Sequence, residues 1–160
     1  AELERCREQG LRGVKFAVQY QGYPPDGPNV DVAVRYAHEH RWMVLSHQWG
    51  SAAHMEGLLR DCPNALILTG HSGGARFADL MDRYPNLYVC SCPLSGPRSC
   101  EAIVERIGAD RLMFGSDLQD LPIAWGLGPV LFARIPEEEK RLILGGNLAR
   151  LLAEYSREEG

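Results

Sequence analysis

Short apolar runs alternate with longer amphipathic stretches along this chain, and the alternation repeats. The runs are Gly13–Gln19 (GVKFAVQ), Trp42–Ser46 ahead of His47, Ala65–Thr69 ahead of Gly70 and His71, Asn86–Ser91 (NLYVCS) and Arg111–Gly115. Each is too short for a helix and mostly apolar without strict alternation, which predicts strands buried on both faces. The stretches between them carry helical spacing. Residues 1–12 put Leu3 and Cys6 on one face, with Gly10 closing the helix. A second helix is predicted over roughly 30–41, with Val30, Val34, Tyr36 and Ala37 inward and Asn29 or Asp31 as its cap. Ser51 caps a third through about Asp61. Further helices are predicted over about 75–84, ended by Pro85, and about 98–107, ended by Gly108.

Two segments interrupt this rhythm. Tyr20–Asn29 is rich in Gly and Pro and reads as a loop. Leu118–Arg134 contains Pro122, Gly126, Gly128 and Pro129, which argues for loops and a broken helix. The end is regular again. Pro136 followed by Glu137, Glu138 and Glu139 starts a helix with acids at the positive end of its dipole. Gly145-Gly146 breaks it, and Asn147–Tyr155 forms a closing amphipathic helix.

A strand–loop–helix unit of about 20–25 residues, five times over, implies a parallel sheet with right-handed crossovers. The pattern fits either a small open doubly wound sheet or the latter part of an eight-unit barrel. The whole chain, 1–160, reads as a single α/β domain. Composition narrows the function. With 45% hydrophobic and 24% charged residues the chain is an ordinary soluble globular protein. A net charge of −4 without a basic stripe argues against a nucleic-acid surface. No apolar run reaches the roughly 20 residues of a membrane helix, and no signal-peptide pattern opens the chain. Five cysteines without framework spacing favour a reducing, cytoplasmic setting.

Candidate chemistry collects where three predicted strands end. His47, His71 and Asp117 each stand just past a strand's carboxyl end, the rim on which α/β enzymes build their sites. His, His and Asp together suit a divalent metal such as zinc. Taken singly, each has a plainer reading: a buried imidazole hydrogen-bonded at a strand end, or an Asp capping a helix. The glycines of Gly70-His71-Ser72-Gly73-Gly74 leave tight backbone around His71 that lets a substrate approach. Gln19 and Gln21 leave the first strand close enough to touch that substrate. Trp49 is a pocket wall or a packed ring. Arg76, at a helix start, can hold a substrate carboxylate. Lys15 lies near its strand's start and reads as remote from the rim. Cys90 and Cys92 fall on one strand face and read as buried thiols. His54 is expected on the outer face of its helix.

Several of these pieces resemble the amidohydrolase-related metal-dependent hydrolases, in the branch that includes aminocarboxymuconate-semialdehyde decarboxylase-like enzymes. They are GLRGVKF at 10–16, VLSHQWG at 44–50, LILTGHSGG at 66–74, DRLMFGSD at 110–117 and EEEKRLILGGNLARLL at 137–152. They occur in the family's order and cover nearly the whole chain. The resemblance implies an incomplete (β/α)8 TIM barrel, about its last five β/α units, the C-terminal portion of a metal-dependent hydrolase. It implies a divalent metal, zinc foremost, held by His47 and Asp117, with His71 as acid/base or further ligand. It implies catalytic roles for His71 and Asp117; the substrate contacts expected from Gln19, Trp49 and Arg76 rest on the positions of those residues.

The reaction so implied is hydrolysis of a small carbonyl or carboxylate compound by metal-activated water, or nonoxidative decarboxylation. The family's first strand ends in His-x-His, which has no counterpart here. His38-Glu39-His40 has the spacing, but on a helix positions i and i+2 point about 200° apart, so the pair is expected to face solvent. The simplest explanation is that roughly three strands of the barrel are missing, which would weaken metal binding and leave two sheet edges open to a second copy. The rival readings are a non-catalytic barrel fragment and an open-sheet ligand-binding domain; the latter would not gather His47, His71 and Asp117.

Overall fold

A computed structural model describes residues 1–70, 76–118 and 120–156. In chain order its elements are α1 (Glu2–Glu8), β1 (Gly13–Phe16), α2 (Val18–Gln21), α3 (Pro28–His40), β2 (Met43–Ser46), α4 (Ala52–Asp61), β3 (Leu66–Thr69), α5 (Ala78–Met81), β4 (Leu87–Cys90) and α6 (Ser99–Ile107). A 3-10 turn (Ala109–Arg111) then leads into β5 (Leu112–Met113), followed by α7 (Ile123–Leu131), α8 (Glu137–Arg141), a π segment (Leu142–Gly146) and α9 (Asn147–Ser156).

The five strands form one parallel sheet in the order β1-β2-β3-β4-β5. Every crossover steps to the same side. A doubly wound sheet reverses direction at its switch point, and this one does not, so the strands form an arc of a barrel. That decides between the two architectures the hydropathy pattern allows.

Register assigns the two faces. Met43 pairs with Leu66 and Leu45 with Leu68, while Val44 pairs with Ile67 and Leu68 with Tyr88. Leu66, Leu68, Tyr88 and Met113 cluster on the concave side with Met43 and Leu45, joined by Leu151 and Tyr155 of α9. Val44, Ile67, Leu87, Val89 and Leu112 face the other way, into the main core with Val30, Val34 and Ala37 of α3 and Met55 and Leu59 of α4. Burying these aliphatic side chains contributes about 1.5–3 kcal/mol each, which makes this layer the bulk of the stability.

The lower, amino-terminal end of the sheet is tied by side chains that donate to backbone carbonyls. Asn86 Nδ2 donates to the carbonyls of Cys62 and Ala65, both at 3.2 Å. Asn147 Nδ2, fully buried, donates to Ala109 and Leu112, both at 2.8 Å. The Arg111 guanidinium reaches the carbonyls of Leu87, at 3.1 Å from Nε, and Tyr84, at 2.9 Å. At the β5 edge, Phe114 N–H donates to Ile143 O at 2.9 Å, so the segment leading into α9 occupies part of the margin expected to be open.

Four local expectations are corrected. The loop Tyr20–Asn29 starts inside a helical turn, α2, closed by Gly22 in the left-handed region at φ 72°. Neither Asn29 nor Asp31 caps α3: Gly27 is the N-cap and Pro28 fills the first turn, where its missing N–H costs nothing. Asp31 bonds across to His54 instead, Oδ1 to Nε2 at 2.8 Å, so His54 turns inward between α3 and α4 with its side chain only 20% exposed. His38 and His40 are half-buried and do not face solvent. His38 Nδ1 accepts from Asn64 N–H at 3.1 Å, and the His40 ring lies 4.3 Å from Tyr36. Ser51 does cap α4, accepting from His54 N–H at 3.1 Å.

Candidate active site at the carboxyl rim

His47 and Asp117 stand past the carboxyl ends of β2 and β5. β2 ends at Ser46, whose buried hydroxyl donates to Gln48 O at 2.6 Å and accepts from Gln48 N–H at 3.2 Å. This small turn brackets His47 and fixes the direction in which it leaves the strand. The imidazole lies against β3's exit. A methyl group added at Gly70 would collide with His47 Cδ2 and stand 3.0 Å from Nε2, so only glycine leaves room for the ring.

β4's exit supplies the next contact. His47 Nε2 lies 3.5 Å from Cys92 Sγ, and Cys90 Sγ lies 2.9 Å from Cys92 Sγ. Both thiols are buried, and the Cys90 thiol is held well above the usual thiol range by its hydrogen bond to Cys92 and by burial, with the Lys15 ammonium opposing weakly. Gly115, past β5, backs onto the pair: a side chain there would meet Cys92 Cβ at 2.8 Å. Its N–H donates to Ser91 Oγ at 3.2 Å, which ties the β5 exit to that of β4.

Asp117 follows two residues on. It is half-buried and has φ 52°, a left-handed conformation that few non-glycine residues adopt and that Asp and Asn tolerate best. Its carbonyl accepts from Asp120 N–H at 3.0 Å and Leu121 N–H at 2.9 Å. Gly126 of α7 packs closely on this turn: a Cβ there would stand 3.0 Å from Ser116 Cα, tight enough that the backbone would have to shift. Contacts therefore run along the rim from His47 through Cys92 to Gly115, two residues short of Asp117.

The other candidates fall differently. His71 and the side chain of Gln19 lie outside the described residues. Trp49 is a packed ring: it is 4% exposed and its indole donates to Leu68 O at 3.2 Å. Arg76 is exposed, donates to Trp49 O at 3.5 Å and lies over the Phe77 ring. Gln21 accepts from Tyr23 Oη–H at 2.6 Å and Ala17 N–H at 3.1 Å. Lys15 pairs in register with Leu45 and so belongs to the concave side, where its charge reaches Cys90. The contact between Cys92 and His47 was not foreseen. The alternation of Cys90 and Cys92 onto one face pointed to the pair, but its neighbour depends on the register between strands.

The amidohydrolase family model matches residues 1–153. The chain belongs to the amidohydrolase family. Solved structures agree on the fold. An uncharacterized TIM-barrel protein from Bordetella bronchiseptica superposes with a TM-score of 0.76 at 20% identity, over 97% of this chain and 62% of that one. 5-Carboxyvanillate decarboxylase from Sphingomonas paucimobilis gives 0.74 at 19%, over 95% and 62%. A dihydroxybenzoic acid decarboxylase from a Polaromonas species, solved with manganese and the inhibitor 2-nitroresorcinol, gives 0.72 at 18%, over 99% and 65%. No curated protein matches the chain. The amidohydrolase chain thus spans a little under two thirds of these relatives, which fits a partial TIM barrel.

Proposed function

We propose that this amidohydrolase chain is the C-terminal portion of a barrel carrying a divalent-metal site, with His47, His71 and Asp117 as donors, and that it acts on a small carboxylate-bearing compound. The observation that carries the reading is the rim itself: His47 and Asp117 follow the ends of β2 and β5, and the exits between them are joined through Cys92 and Gly115. The donor chemistry fits. An imidazole nitrogen and a carboxylate oxygen suit zinc or manganese, and a second imidazole makes the three protein ligands usual for a catalytic ion. The manganese in the Polaromonas relative supports the same class of ion. When bound, such an ion acidifies water and withdraws electron density from a coordinated carbonyl or carboxylate.

The chain's own residues do the rest. Asp117 accepts a proton within reach of the reacting group, and its left-handed backbone sets the carboxylate's approach. With His71 as acid/base in place of ligand, its imidazolium donates its own proton to the leaving atom and Asp117 releases the proton it took to water. His47 is held by the Ser46 turn and by the space at Gly70, so little ordering is left to be done when a ligand arrives. Hydrolysis of an amide, ester or lactone is the first reading. Nonoxidative decarboxylation is the second, favoured by the decarboxylases among the similar structures.

The test measures zinc, manganese and iron per gel-filtered chain and the turnover of a panel of small aromatic carboxylates and lactones. Asp117→Asn keeps the left-handed backbone accessible while removing the charge. The expected result is metal in the wild type, a weaker ion in the variant and a loss of kcat on the order of 10²–10⁴-fold. Equal metal content and equal turnover in the two proteins would end the assignment.

A further inference from the structure

The Cys90–Cys92 contact is used by nothing above. Cys90 ends β4 and Cys92 stands two residues on, in the turn that leaves it; a disulfide tolerates Cα separations of about 4.4–6.8 Å. The side chains have closed most of the remaining gap, with their sulfurs 2.9 Å apart. Gly115 makes this possible, since a Cβ there would occupy the space the two cysteines fill.

The separation tells two uses of the pair apart. Two thiolates on one tetrahedral ion stand roughly 3.7 Å apart, given metal–sulfur bonds of about 2.3 Å. The observed distance is well inside that value, and among the described residues no group of three His, Cys, Asp or Glu is placed to hold a metal. The sulfurs stand closer together than two ligands of one ion would.

We propose that Cys90 and Cys92 are an oxidative modification site, closed to a disulfide by a small hydroperoxide at the carboxyl rim. In the first step one sulfur attacks the peroxide's terminal oxygen. The O–O bond breaks, an alcohol or water leaves with the thiol's proton, and that cysteine becomes a sulfenic acid. In the second step the neighbouring sulfur attacks it. The S–O bond breaks and water departs with the second thiol proton, so the peroxide has taken two electrons and the pair has given them. The nearness of the second sulfur makes the closing step intramolecular and protects the sulfenic acid from further oxygen transfer. Closure draws Cys92 Sγ toward Cys90, away from its 3.5 Å contact with His47 Nε2. The oxidation state of the pair thereby sets what touches that ring, and the disulfide itself needs no metal to form.

Hydrogen peroxide is the probe, used in slight excess on the intact chain. The expected product is lighter by about 2 Da, regains its mass with a dithiol reductant, and carries the bridge in one tryptic peptide. That peptide is Tyr84–Arg98, which contains Cys90, Cys92 and no other cysteine. Cys62 and Cys100, buried and without a thiol neighbour in contact, serve as internal references: with no second sulfur to close on, they should show no loss of two hydrogens. Three results would overturn the proposal: five thiols still alkylated after treatment and denaturation, oxygen added to either cysteine without loss of the two hydrogens, or a bridge that joins Cys90 or Cys92 to a different cysteine.

Discussion

The two ends of this sheet are built from different kinds of contact. At the lower end polar side chains serve the backbone: Asn86, Arg111 and Asn147 donate to carbonyls left over where strands begin. At the upper end side chains meet one another, His47 against Cys92 and Cys92 against Cys90, in space provided by Gly70 and Gly115. A donor spent on a carbonyl is fixed and chemically quiet. A donor facing another donor can exchange a proton, an electron pair or a ligand. The contrast assigns stability to one end and reactivity to the other.

Substitutions at each end should separate these assignments. The largest effect on folding is expected for Arg111→Ala, which removes charged hydrogen bonds to three carbonyls, those of Met81, Tyr84 and Leu87, and the cation stacked 5.0 Å from Tyr88. A loss of about 2–4 kcal/mol in urea unfolding is expected, with the oxidation of Cys90 and Cys92 unchanged per folded chain. A shift in that reactivity would mean that the two ends are coupled. Next is Gly70→Ala at the upper end. The added methyl must displace the His47 ring, at a cost of about 1–3 kcal/mol, and the imidazole's NMR signals should move while those of Leu112 and Ile143 stay in place.

The smallest effect lies away from both ends, where α1 is clasped to α3. The Arg7 guanidinium, and then the Tyr36 hydroxyl, hold the Glu4 carboxyl down at about 2 against an ordinary value of 4.5. A carboxyl whose folded pKa lies below its unfolded one stabilises the fold fully above the unfolded value, and that contribution fades as pH falls toward the folded one. Glu4→Gln should therefore lower Tm slightly at pH 7, and the difference from wild type should shrink between pH 4.5 and 2. A difference that grows on acidification would show that the clasp has been misread.

The strands were legible because burial on both faces demands apolar runs, and nothing else in the chain places Val44-Leu45 or Leu66-Ile67-Leu68 together. Strand order was not legible. Five identical units carry no mark of which side each crossover takes, and only the paired sheet tells a barrel arc from a doubly wound sheet. The rim was half legible. A residue that ends a strand announces itself in one dimension, as His47 and Asp117 do. What it touches depends on register with a strand 45 residues later, as between His47 and Cys92. Where expectation failed locally, a longer-range partner had won. Asp31 reached across to His54 while keeping Arg35 of its own helix, and His38 and His40 found Asn64 and Tyr36.

The order β1-β2-β3-β4-β5 also shapes how the chain can assemble. Each strand is laid beside the one made just before it, so every pairing closes a short loop and the array can grow in the direction of synthesis without waiting for a distant partner. The exception is the last helix. Leu151 packs with Leu66 and Leu68, and the Tyr155 ring lies 4.7 Å from the Arg41 guanidinium, more than a hundred residues back. That helix is the latch of an otherwise sequential fold, and the topology makes its docking the late, cooperative step that turns a row of neighbours into one unit.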